Sequence, residues 1–249
     1  MLKQQTIAKL KKLKLGAAVE AAQAMEGTDA RLSKEEWLEI IVDRVYEEKM
    51  TTKVNNLIKS AHFSCPSACV EDIIFAEDRK LDVGLIDSLA TGSYITKGRN
   101  IILMGAAGAG KSWMACAFGI SACRQLNKTE YISMVEMCDE LAMLRADPAL
   151  HQRRLKQLTT RSLLIVDDWL LMETNQEAVD ELFAVTEART KAKRSTIICT
   201  QYMVEGWPAR MGGYPAAESV VDRIKNNAYK IMIEGDISMR ERCMDDDLR

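Results

Sequence analysis

Residues 105–112 read GAAGAGKS, a match to the G-x-x-x-x-G-K-[ST] spacing that cradles the phosphates of a nucleotide. Gly105, Gly108 and Gly110, with Ala109 between them, let the backbone curl so that successive N–H groups face an anion at the start of a helix. Lys111 is placed to reach the outer phosphates, and Ser112 to offer its hydroxyl to a magnesium ion. The complementary half is SLLIVDDW, residues 162–169. Its apolar run ends in two acids, Asp167 to hold the magnesium and Asp168 to orient and activate the water that attacks the terminal phosphate. A third run, STIICTQ, ends in Thr200 and Gln201, polar groups suited to sensing that phosphate. The chemistry is phosphoryl transfer from ATP with Mg2+. It serves either transfer to a small acceptor or hydrolysis that drives assembly on something larger.

Such residues need a scaffold that brings several strand ends together. From about Asn100, the short apolar runs NIILM, EYISM, SLLIVDD, STIICT and YKIMI alternate with amphipathic helical stretches. This alternation predicts an α/β fold in which a parallel sheet is covered by helices on both faces and ligands bind at the C-terminal strand ends. Residues 1–60 read differently. Leu2, Ile7, Leu10 and Leu13, then Trp37, Ile40, Ile41, Val45 and Leu57, recur at helical spacing, and Ser33 with Glu36 forms a capping box. The expected division is a small helical module over 1–60 and an α/β domain over 61–249, with segment 61–99 leading into the sheet.

Composition sets outer bounds. The 249 residues, 47% hydrophobic and 28% charged, suffice for one large domain and a smaller one. A net charge of -2 gives no global attraction to nucleic acid, so DNA binding would have to come from local basic stripes. Seven cysteines scattered through apolar segments fit reduced thiols and a cytoplasmic location. The basic start lacks the apolar centre of a signal peptide, and no run approaches a membrane span. His62, Cys65 and Cys69 in HFSCPSAC supply three of the four ligands structural zinc requires, so packing is the expected role.

GAAGAGKS, LLIVDDW, IICTQY and VVDRIKNNAYKIMIEGDISMR together resemble the IstB family, the ATP-binding helpers of bacterial insertion-sequence transposition among the AAA+ ATPases near the replicative helicase loaders. The resemblance runs from roughly Ser60 to Arg240 and more loosely over the N-terminal helices. It implies an AAA+ P-loop three-layer sandwich, with Lys111 and Ser112 as Walker A, Asp167 and Asp168 as Walker B, and Gln201 with Thr200 as sensor 1. Arg223 would be the arginine finger, reaching ATP held by a neighbouring subunit, and Arg240 in SMR a sensor-2-like residue. The departure is Asp168, where glutamate is usual, which points to slow turnover. The implied function is a DNA-binding ATPase that forms homo-oligomers on duplex DNA, largely without sequence preference, and assists a transposase in target selection. A helicase loader and a metabolic phosphotransferase are the alternatives; no Arg-rich lid of the kind such kinases use follows STIICTQY. The module over 1–60 would bind partners or promote oligomerisation. DNA contacts are expected from Arg145, Arg153, Arg154 and Lys156, with Arg161 beside them, between the second strand and Walker B. Two further basic runs, Arg189 to Arg194 and Lys3 to Lys14, fit a helix end and a partner-binding helix as well as they fit DNA.

Overall fold

The computed structural model describes residues 2–25, 32–235, 237–239 and 241–242, so Arg240 lies outside the described residues. The chain divides into two compact units, residues 1–56 and 57–249. The first holds α1 (Gln4–Lys12), α2 (Gly16–Ala24) and the greater part of α3 (Lys34–Ala61). Its small core is Ala17, Ala18, Val19 and Ala22. The capping box starts α3 as its sequence requires: Glu36 N–H donates to the Ser33 hydroxyl at 3.1 Å, and Ser33 N–H to the Glu36 carboxylate at 2.7 Å. Further along, α3 leaves Trp37, Leu38, Val42 and Tyr46 exposed on turns that follow one another.

The second unit runs α4 (Val83–Ala90), α5 (Ser93–Thr96), β1 (Asn100–Gly105), α6 (Lys111–Arg124), β2 (Thr129–Ser133), α7 (Met134–Leu144), α8 (Pro148–Thr160), β3 (Leu163–Trp169), α9 (Gln176–Lys191), β4 (Ser195–Thr200), α10 (Trp207–Arg210), α11 (Pro215–Lys225) and β5 (Ala228–Ile233). The strands are parallel and ordered β2-β3-β4-β1-β5. Their apolar runs are continuous because both faces are covered, and the two-residue period sorts them. Ile101, Leu103, Leu163, Ile165, Ile197 and Cys199 enter one core with α4 to α6. Ile102, Met104, Leu164, Val166 and Ile198 enter the other with α7, α9 and α11. The strand order places β4 between β1 and β3, so the phosphate loop and the acid pair flank the end of β4.

Two features re-aim backbone at these strand ends. Gly105 pairs with Ile233, and a Cβ there would collide with the Ile233 carbonyl oxygen, so the loop leaves β1 at a point only glycine allows. On β3 the register breaks between Val166 and Trp169, with Asp168 at φ 52° and Leu170 at φ 57°. Non-glycine residues in that region cost on the order of 1 kcal/mol each and persist only where surroundings over-determine them. Here they do: Trp169 is buried against Trp207, its carbonyl accepts from the Thr200 hydroxyl, and Arg210 donates to the Leu170 carbonyl at 2.8 Å. The bulge leaves Asp167 buried and Asp168 exposed at the strand end.

Candidate functional site

The phosphate loop joins β1 to α6, and four of its carbonyls accept hydrogen bonds. Lys111 Nζ donates to the carbonyls of Gly105 (3.0 Å) and Ala106 (2.8 Å), Arg79 to that of Ala109 (3.0 Å), and Met239 N–H to that of Gly108 (2.9 Å). These bonds turn the carbonyls toward protein donors, so that the loop's N–H groups are the polar groups available to an anion. Burial lowers the Lys111 ammonium from its ordinary value, while nearby Asp167 and Asp168 oppose that shift.

Beside the loop lies a cavity of about 520 Å³ lined by Ile73, Ile74, Trp113 and Met239 together with Lys111 and Ser112. An apolar chamber of that size ending in a cation, a hydroxyl and loop amides fits a base and sugar followed by phosphates. Reasoning from sequence missed the lead-in part of this site. Arg79 is buried and bridges the Ile74 and Ala109 carbonyls, tying segment 61–99 to the phosphate loop. The signal was the apolar triplet IIF in an acidic stretch, but nothing local shows what it touches.

Asp167 is buried and makes no ion pair among the described residues. One of its oxygens accepts from the Tyr131 hydroxyl and the other from Asp168 N–H at 2.9 Å. A buried carboxylate and a serine hydroxyl in the first turn of α6 are the hard oxygen donors magnesium takes. Burial, and then the Asp167 charge, raise the Asp168 carboxyl above the usual range, with Lys111 opposing. Gln201 is exposed beside Lys111, Asp168 and Cys199. Thr200 serves differently: its hydroxyl donates to Trp169 O and accepts from Tyr202 N–H, both at 3.1 Å, so it fixes the strand end.

Arg223 sits on α11, its guanidinium 4.9 Å from the centre of the Phe183 ring, donating to Ser219 O at 2.9 Å and lying 3.9 Å from Glu187. It lines a surface cleft with Ser219, Asp222 and Lys225 and is not among the residues lining the cavity at the phosphate loop.

The basic stretch is largely paired within the fold. Arg154 is held by Glu130 (2.6 Å) and Glu140 (2.8 Å), and Arg145 by Glu181 (2.7 Å) and Glu177 (3.1 Å). Arg161 also pairs with Glu130, at 2.8 Å. These arginines pair with carboxylates of the fold, Arg154 mostly buried and Arg145 partly exposed. Arg153 and Lys156 remain exposed on α8. Arg189, in the next basic run, is buried and donates to the carbonyls of Leu158, Arg161 and Ser195, so it too is structural. Of the thiol group near His62, Cys69 bonds Glu71 and Arg124, Cys65 lines the cavity, and no cluster of three or more metal-binding side chains occurs among the described residues.

The family model described as IstB-like ATP binding protein matches residues 8–245. The insertion sequence ATP-binding protein y4uH of Sinorhizobium fredii is 31% identical over 244 residues, covering 97% of each chain. The IS1162 ATP-binding protein of Pseudomonas fluorescens is 34% identical over 203 residues, 81% of this chain and 87% of that one. Among solved structures, AMPPCP-bound DnaA from Aquifex aeolicus superposes with a TM-score of 0.58 at 18% identity, over 74% of this chain and 55% of DnaA. The DnaC helicase loader gives 0.53 at 16% identity, over 67% and 97%. The fold is that of an AAA+ P-loop domain. With a family model spanning nearly all of it and relatives above 30% identity along most of their length, this chain belongs to the IstB-like ATP-binding proteins of insertion sequences.

Proposed function

We propose that this protein is a magnesium-dependent, slowly turning ATPase of the cytoplasm that assembles with copies of itself on duplex DNA and assists a cognate transposase in choosing its target. In this reading the loop amides and Lys111 hold the phosphates, Ser112 and Asp167 hold magnesium, Asp168 orients the water, and Gln201 senses the terminal phosphate. Arg153 and Lys156 supply sequence-independent contacts to the DNA backbone. The exposed apolar residues of α3 give the N-terminal unit a surface for partners.

The observation that carries the reading is the placement of Arg223. A guanidinium packed on Phe183 and offered in a surface cleft, apart from the cavity of its own phosphate loop, is suited to complete a site on another subunit. Supplied in trans, it stabilises charge on the transferring phosphoryl group and makes hydrolysis conditional on assembly. Rate of ATP hydrolysis and particle size, measured with and without duplex DNA, test this. Both are expected to rise with DNA. Arg223→Ala should bind ATP as wild type does yet lose turnover and assembly, Lys111→Ala should lose ATP binding, and a mixture of the two should regain activity. Wild-type hydrolysis by Arg223→Ala alone refutes a shared site, and hydrolysis that ignores DNA but needs a small acceptor refutes the reading as a whole.

A further inference from the structure

We infer that Tyr131 is a positioning residue for the metal-binding carboxylate, holding Asp167 in one orientation without neutralising it. The inference rests on Asp167 as the magnesium-holding acid. In the β2–β3 register Tyr131 stands opposite Ile165, so Asp167 is its diagonal neighbour two residues further along β3. With parallel strands about 4.8 Å apart and about 3.3 Å per residue along each, such neighbours are about 8 Å apart between backbones, a gap that only a long side chain closes. The tyrosine closes it, its hydroxyl donating to Asp167 Oδ2 while Asp168 N–H takes Oδ1 at 2.9 Å. Each oxygen thus has one donor from a fixed strand, with the Cys199 thiol of β4 as a further partner of the carboxylate, and together they set the carboxylate plane.

The choice of a phenol matters chemically. An arginine or lysine reaching from β2 would form an ion pair with Asp167 and compete with a divalent cation for its charge. A phenol is a neutral donor, so it orients the carboxylate and leaves the charge for the metal. Tyr131 also has the Ser64 hydroxyl beside it, and Ser64 in turn lies 3.5 Å from Cys116 on α6. The orienting hydroxyl therefore lies where the lead-in segment and the phosphate-loop helix meet, two elements that line the nucleotide cavity.

The test is the affinity for a fluorescent ATP analogue in EDTA and across a magnesium titration, using wild type, Tyr131→Phe, Ser64→Ala and Asp167→Asn. Tyr131→Phe keeps the ring and its packing, so its unfolding midpoint should stay within a few degrees of wild type. In EDTA it should bind within twofold of wild type, whereas its half-saturating magnesium concentration should rise about tenfold, the low end of what outer-shell partners of metal ligands contribute. Ser64→Ala leaves the Tyr131–Asp167 bond in place and should shift that concentration less than twofold. An unchanged magnesium dependence in Tyr131→Phe, while Asp167→Asn loses it, overturns the inference and leaves the metal assignment standing. Equal weakening with and without magnesium also overturns it, as general damage to the pocket; so does a tenfold shift in Ser64→Ala, which would move the effect to the lead-in segment. If Asp167→Asn keeps the wild-type magnesium dependence, the metal assignment itself falls.

Discussion

Replacing Arg154 with alanine separates stability from DNA binding. Its side chain is 13% exposed and that of its partner Glu130 only 5%. Removing the cation leaves Glu130 buried with Arg161 alone to compensate it, and Glu140 without its arginine. Breaking a buried pair by deleting one partner costs about 3–5 kcal/mol when the charge left behind is uncompensated. Because Arg161 stays, the expected loss is about 2–3 kcal/mol. At about 2–4 °C per kcal/mol for a domain of this size, the unfolding midpoint should fall by about 4–12 °C. The loss should depend on pH in a definite direction. Burial alone would raise the Glu130 carboxyl, but hydrogen bonds from Arg161 and Arg154 outweigh it and hold the group below the ordinary carboxylate range. A carboxyl lowered by folding stabilises above its unfolded pKa, and that contribution disappears as pH falls through the folded value. The gap between wild type and Arg154→Ala should therefore be widest near pH 7 and shrink at pH values below the ordinary carboxylate range. Thermal unfolding followed by circular dichroism at both pH values measures it, with DNA affinity measured at a temperature where both proteins are folded. A wild-type midpoint at pH 7, a gap independent of pH, or weakened DNA binding by the folded variant would each refute the assignment of Arg154 to the fold.

Three more outcomes follow from the same site. Asp168→Asn should bind ATP normally and slow hydrolysis by about a hundredfold, accumulating the assembled state in light scattering; wild-type turnover would give the water to another residue. Arg153→Glu combined with Lys156→Glu should leave the unfolding midpoint unchanged, weaken binding equally on unrelated duplexes and reduce the salt slope by about two, and an unchanged slope would make them a solvated helix face. Arg79→Ala should weaken ATP binding by about tenfold through loosening of the Ile74–Ala109 bridge, measured by titration calorimetry, and wild-type affinity would reduce Arg79 to packing.

What could be read from sequence was what lies close together along the chain. GAAGAGKS is contiguous, and VDD needs only its own apolar run to be placed at a strand end, so the loop, the acid pair and the parallel sheet were all legible. The basic stretches were not. Arg145, Arg153, Arg154, Lys156 and Arg189 look alike as letters, and what distinguishes them is Glu130, Glu140, Glu181 and a set of carbonyls brought in from other elements. Arg79 and Tyr131 escaped for the same reason: their partners, Ala109 and Asp167, stand 30 and 36 residues away. Thr200 was placed correctly at the end of its strand, but its hydroxyl turned out to be spent on backbone.

The seating of β1 between β4 and β5 has a consequence for biosynthesis. The phosphate loop comes off the ribosome early, yet Gly105 is paired by Ile233 and Gly108 by Met239, more than a hundred residues later. A strand whose two neighbours both arrive so late makes its ladder only with distant segments, and such contacts form slowly. During the interval, at about 5–20 residues per second of synthesis, the apolar strand NIILM has neither partner and is a surface on which nascent chains can aggregate or chaperones can act. The backbone pairings that seat the phosphate loop, Gly105 with Ile233 and Gly108 with Met239, are therefore among the last the chain can complete.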